Sequence, residues 1–355
     1  MLTFLFYFIG LGSVFTYMVA LNTNVINFDS KYRGLIIGTL NCFFAGSPSV
    51  FSVVYYKGLT GVHKFGDFML MFAICFAVVD ILCIFFLRLY TIQPELEEET
   101  VLIISPEKDH SEDRKLSGSN DCHVSYQSEN STLKTTYNDF RNVPNEPLTL
   151  KQLLLNIDYQ LFTWMFVFAA SIGLTFGNNI TVIARSFHLD QHNGSIVLIV
   201  PITAAVVSIV IGLLSDILYD KVPRMTILVG ACVCFTLSQI IVLVFGNLYG
   251  FLIFGTFLCG VGISAIWSLS PAVMGEVFSL KHIGRNWGIA LMIAALFGML
   301  TQEIFGVTYD AHVPDGEIDC FGMKCVSGGL GFSIAAGVLS VILGTIYIIK
   351  EGRCS

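Results

Sequence analysis

Long apolar runs broken by short polar stretches set the pattern of this chain, and nine can be drawn, at residues 2–25, 34–56, 68–87, 161–184, 196–218, 225–245, 248–274, 287–309 and 329–349. Each is continuous, not alternating, and about 20 residues or more long, enough as a helix to cross a hydrocarbon core of roughly 30 Å. No water reaches that core, so a spanning segment must satisfy its backbone groups internally; continuous runs argue for helices over a barrel. The first run has no basic leading segment and is longer than the apolar stretch of a signal peptide, so it reads as a span. The pattern predicts an all-α polytopic membrane protein with about nine transmembrane helices.

The regularity fails once. Residues 90–150 hold twelve Asp or Glu against five Lys or Arg, with Ser, Asn and Thr throughout. Such a segment buries too little apolar area to offset its ordering entropy, so a disordered linker is expected. The chain divides into a three-span bundle at 1–89, the acidic linker at 90–158 and a six-helix bundle at 159–355. Ser111, followed by Glu112 and Asp113, is a candidate phosphorylation site, against the plainer reading of a solvated spacer. Asn130 heads an Asn-Ser-Thr sequon, which a cytosolic linker would keep from the glycosylation machinery.

Composition agrees with the pattern. Of 355 residues, 54% are hydrophobic and 13% charged, about half the charged fraction of a soluble domain. Basic residues in the short loops orient the spans. With the N-terminus outside, the cytosolic side holds Lys31, Arg33, Arg88, Lys221, Arg224, Lys281, Arg285, Lys350 and Arg353, and the outer side only Lys57, Lys64, Arg185 and Lys324.

One short stretch, "GLLSDILYDKVPR" at residues 212–224, concentrates Asp216, Asp220, Lys221 and Arg224 between the fifth and sixth spans. Gly212 lets two helices approach closely, and Asp216 can accept hydrogen bonds from a neighbouring helix N-terminus or an Arg. An ordinary charged inner loop is the plain alternative. The Gly-x-x-x-Asp, basic-x-x-Arg pattern, placed between the second and third helices of a six-helix half, resembles the signature loop of the major facilitator superfamily. "NFDSKYRGLIIGTL" at 27–40 resembles the segment joining the fourth and fifth helices of the nodulin-like, monocarboxylate-transporter-homologue members. "GVGISAIWSLSPAVMGEVFSLKHIG" at 260–284 is similar to their tenth helix and following loop, and "CFGMKC" at 320–325 sits where they carry paired cysteines in an outer loop.

The resemblance implies the major facilitator fold, alternating access, and a cytosolic gating motif of Gly212, Asp216, Lys221, Arg224, Arg33 and Glu276. Two departures stand beside it. "NFDSKYRG" lacks a proline often found there, and if run 2–25 corresponds to the family's fourth helix, helices one to three and the first signature loop are missing. The chain is therefore expected to be an incomplete gene model or a short form, its cavity open to lipid on one side.

Polar side chains inside spans are expensive in hydrocarbon unless they face a cavity or a partner. Asn22, Asn24, Asn41, Asn178, Asn179, Trp267 and Ser270 are substrate-cavity candidates on that ground, against interhelical hydrogen bonding. Asp80 and Glu303 lie within spans and are candidates for proton coupling, against structural pairing. Cys320 and Cys325 form either a disulfide or a free pair; the six cysteines within spans read as inert apolar residues.

No Gly-rich phosphate loop or H-E-x-x-H occurs and the seven His are scattered, so no catalytic residues, metal site or cofactor are assigned and an enzyme is not expected. The leading expectation is a secondary transporter of a small organic solute such as a monocarboxylate, with protons as a possible second partner, lipid around it and no nucleic acid. It is placed in a plasma or vacuolar/lysosomal-type membrane. A non-transporting receptor or regulatory protein on the same fold is the alternative. No Arg or Lys lies mid-span to fix a carboxylate; Arg185, at a span end, is the nearest.

Overall fold

The computed structural model describes residues 2–55, 64–87, 148–278, 280–314 and 316–354. Among them are ten α-helices and no strand: α1 (Leu2–Asn27), α2 (Arg33–Val53), α3 (Lys64–Phe86), α4 (Leu150–Leu155), α5 (Ile157–Ser186), α6 (Asn193–Ile217), α7 (Arg224–Phe245), α8 (Tyr249–Val277), α9 (Ile283–Asp310) and α10 (Met323–Cys354). Eight are long and apolar enough to cross a membrane and overlie eight of the nine apolar runs. The remaining run forms α1, a helix of 26 residues. The protein is a multi-pass integral membrane protein.

Helices outrun their apolar cores because polar residues cap them. Asn156 starts α5 by accepting from Asp158 N at 2.8 Å and Tyr159 N at 3.1 Å. Residues 148–155 fall inside the segment that composition assigns to the linker, yet they are ordered. Thr149 and Gln152 form a reciprocal capping box at the head of α4, Leu153 is fully buried, and Arg285 Nη2 donates to Leu148 O at 2.9 Å. A two-residue cap and one apolar anchor are too small a signal for composition to register. Ser111, Asn130 and the rest of residues 90–147 lie outside the described residues, as do Lys57 and Arg88.

Helices α5 to α10 alternate between two faces, here called the Arg224 face and the Cys320 face. Helix α8 packs on α6 and α7, while α5 packs on α9 and α10 and α10 on α7. Fully buried Tyr159, Phe162, Phe166 and Phe176 of α5, Phe235 of α7 and Trp287 of α9 form the core. Phe166 sits 4.7 Å from Trp287 and 5.7 Å from Trp267, ring centre to ring centre.

Of the first three helices, α2 lies against α6 and α8, and α1 touches α2, α8 and α9. Helix α3 buries none of its span. Its Phe68 and Phe72 meet Tyr55 and Phe51, from just beyond and within α2, at 5.1 and 4.4 Å.

Candidate functional site

Three helix termini and two small residues build the Arg224 face. Asp216 lies in the last turn of α6, and Arg224 opens α7 immediately after Pro223, whose missing N–H is harmless at a helix start. Helix α2 begins at Arg33, so Gly34 and Leu35 carry amides with no partner inside their own helix. A Cβ on Gly34 would come within 2.8 Å of Gly212 O, and one on Gly212 within 2.9 Å of Gly34 C. Only glycine at both positions lets α2 and α6 approach this closely, and the approach delivers the Asp216 carboxylate to the head of α2.

There it acts as an N-cap in trans. Oδ1 accepts from Gly34 N at 3.0 Å and Oδ2 from Leu35 N at 2.7 Å, so a partly buried anion meets the positive end of a helix from a separate part of the chain. Arg224, 2% exposed, donates to Asp216 Oδ1 at 2.5 Å and to Glu276 Oε1, and lies 4.8 Å over the Tyr219 ring. One guanidinium thus bridges α6 and α8 while Asp216 ties both to α2. Tyr347 and Glu351 of α10 line the same small cleft as Arg224 and Glu276. Arg33 is also buried, reaching Phe28 O at 3.5 Å, while Lys221 and Asp220 are exposed.

Deeper along the same crossing lies a polar cluster. Buried Asn41 of α2 donates through Nδ2 to Ser208 Oγ of α6 at 2.7 Å and to Ser268 Oγ of α8 at 3.2 Å. Ser208 also pairs with Ser264 at 3.0 Å and donates to Ala204 O at 2.6 Å. A second cluster joins α5 to α9: Asn179 and Gln302 exchange amide hydrogen bonds at 3.0 and 3.2 Å, and Thr175 meets Thr301 at 2.7 Å.

The sequence-derived candidates therefore scatter. Asn41 and Asn179 enter interhelical clusters. Asn24 bonds only locally among the described residues, to Ala20 O at 2.8 Å. Asn22 packs over Gly284, where a Cβ would lie 2.7 Å from its Nδ2. Trp267 is half-buried against Phe166, and Ser270 is fully buried, with no hydrogen-bond partner for its Oγ among the described residues. Asn178 is exposed, one helical step around from Asn179.

Among the described residues, Asp80 and Glu303 are not brought to any cluster. Asp80 is exposed on α3, which buries nothing, and Glu303 is exposed because it lies about 200° around α9 from buried Thr301. Ser208, Ser264, Thr175, Thr301 and Gln302 are absent from the sequence-derived candidate set. Part of the signal was available: Ser208, Gly212 and Ser215 recur at i, i+4 and i+7, as do Ser264 and Ser268 at i, i+4.

At the other face Cys320 and Cys325 are joined in a disulfide, with Gly322 at φ +96° between them. Gly322 N donates to Ser186 O at 2.8 Å and Arg185 pairs with Asp319 at 2.9 Å, fastening the loop to the end of α5.

A family model described as Major Facilitator Superfamily matches residues 1–302. Among curated proteins, the chain is similar to the "Probable transporter MCH1" of Yarrowia lipolytica, 25% identical over 217 residues, 56% of this chain and 44% of that protein. The "Probable transporter mch1" of Emericella nidulans is 30% identical over 92 residues, 24% of this chain and 15% of the relative. The protein of the same name from Aspergillus fumigatus is 30% identical over 104 residues, 28% and 16% of the two chains. The matched stretches thus span less than half the length of these relatives.

Proposed function

The chain belongs to the major facilitator superfamily, and from that premise we propose that it carries a small organic solute across a membrane by alternating access. The observation that supports this reading is the Asp216 bridge. A carboxylate from one helix group caps α2 from the other while Arg224 holds it to Glu276, all on one face. Such a lock holds two bundles together when intact and frees one face when broken, which is what a carrier with a single central site requires. The similar proteins are named as transporters, which points away from enzymatic function.

We place the Arg224 face in the cytosol, where the basic loop residues gather. The disulfide at the opposite face fits an oxidising side, the exterior or a vacuolar or lysosomal-type lumen. The proposed solute class is a monocarboxylate or similar acid, on the strength of the resemblance at residues 27–40 and 260–284. With no mid-span Arg or Lys among the described residues, such an acid is held by amide and hydroxyl groups.

Reconstitution into liposomes tests this. Saturable uptake of labelled short monocarboxylates above protein-free vesicles is expected, and Asp216→Asn reduces it severalfold. An imposed pH gradient supplies the proton-coupling arm, where Asp80→Asn and Glu303→Gln remove the candidate acids. Uptake equal to protein-free vesicles for every acid tested would overturn the reading.

A further inference from the structure

The α2–α6 crossing has a register that can be followed outward from the lock. Gly34 lies against Gly212, Asn41 bonds Ser208, and a Cβ on Gly46 would sit 3.3 Å from Ala205 Cβ. The helices run antiparallel: Gly38 lies against Ser208 as Gly34 lies against Gly212, four residues on along α2 for four back along α6. Continued by the same count, the register brings Pro48 of α2 within about one helical turn of the depth of Pro201 of α6. Each proline lies seven residues beyond the Asn41–Ser208 bond, about 10 Å at 1.5 Å per residue.

Both prolines interrupt the helical ladder at that depth, because neither has an N–H for the carbonyl four residues earlier. On α2 that carbonyl is Phe44 O, and Ser47 Oγ takes it over at 2.9 Å, so the ladder there is held by a rotatable side chain. Between this level and the Arg224 face, the Asp216 cap and the Asn41 cluster tie α2 to the other helices. Asn41 is 5% exposed, and its amide reaches α6 and α8 together.

We infer that Pro48 and Pro201 form a paired hinge about which the Arg224-face ends of α2 and α6 swing apart, and that Asn41 is the positioning residue that seals the inner end of this gate. The inference rests on the alternating-access reading and adds where the gate bends and what closes it behind the charge lock. Opening must separate Asn41 from Ser208 and Ser268. Interhelical hydrogen bonds in membranes average about 0.6 kcal/mol, so losing both shifts the closed-to-open ratio about eightfold.

Spin labels at exposed Lys31 and Lys221, beside the lock, read the opening directly as a distance distribution, with no transported solute. The long-distance population is expected to rise about eightfold in Asn41→Ala and about threefold in Ser208→Ala, with the double variant no worse than Asn41→Ala because the bond is shared. Pro48→Ala with Pro201→Ala restores both N–H groups and is expected to reduce the long-distance population at a thermal stability no lower than the parent's. Distributions that do not respond to Asn41→Ala, additive effects of Asn41→Ala and Ser208→Ala, or a hinge variant identical to the parent would each overturn the inference. A responsive gate in a protein that moves no acid would leave the gate standing and refute the solute reading instead.

Discussion

Asp216→Asn isolates the charge lock with almost no change of shape. In the parent, Oδ1 serves Gly34 N at 3.0 Å and Arg224 Nη2 at 2.5 Å while Oδ2 serves Leu35 N at 2.7 Å. Asparagine keeps one acceptor, so its NH2 must face either the Leu35 amide or the Arg224 guanidinium, donor against donor. Hydrogen bonds to charged groups contribute about 1.5–3 kcal/mol, and breaking a buried pair costs about 3–5 kcal/mol. Arg224 retains Glu276, which places the loss below that upper figure, at about 2–4 kcal/mol. At 1.4 kcal/mol per tenfold, the closed-to-open ratio falls roughly 30- to 700-fold. Ile37, 1% exposed on the α2 face that closes against the other helices, reports the change. As Ile37→Cys, with the other free cysteines replaced, its reaction with a membrane-impermeant maleimide from the Arg224 face should accelerate at least about tenfold on adding Asp216→Asn. Exposed Lys221→Asn should not change it. A labelling rate within about twofold of the parent refutes the lock, since the shift worked above exceeds that by an order of magnitude.

The close crossing of α2 and α6 predicts that Gly38→Ala, whose Cβ would lie 3.2 Å from Ser208 C, lowers the thermal midpoint in detergent by overpacking of about 1–3 kcal/mol, while Gly66→Ala, with nothing within 4 Å, leaves it unchanged. Asn179→Ala and Gln302→Ala should show a coupling of about 0.6 kcal/mol in a double-mutant cycle read by denaturation in mixed micelles, and strict additivity would deny the amide pair. Cys320→Ser, or dithiothreitol on the parent, should cost about 2 kcal/mol because the bridge closes a short loop, and differential scanning fluorimetry should show a midpoint several degrees lower.

Hydropathy alone determined that this chain builds membrane-spanning helices, because hydrocarbon admits a continuous apolar run only as a helix; eight of its runs became such helices and the ninth became α1. The Gly212-to-Arg224 stretch was legible for a related reason, since charge gathered at a helix end of so apolar a chain has few other uses. Its partners were not legible. The head of α2 stands 181 residues from Asp216, and backbone amides carry no letter in a sequence, so the cap that joins them exists only once Gly34 and Gly212 have brought two helices into contact. The polar residues divide along the same line. Asn41 and Asn179 became interior while Asn178, Asp80 and Glu303 did not, because one step along a helix turns a side chain by about 100° and only packing decides which side faces a neighbour. What each span is made of can be read along the chain, but which of its faces meets another helix is decided by contacts between residues far apart in it.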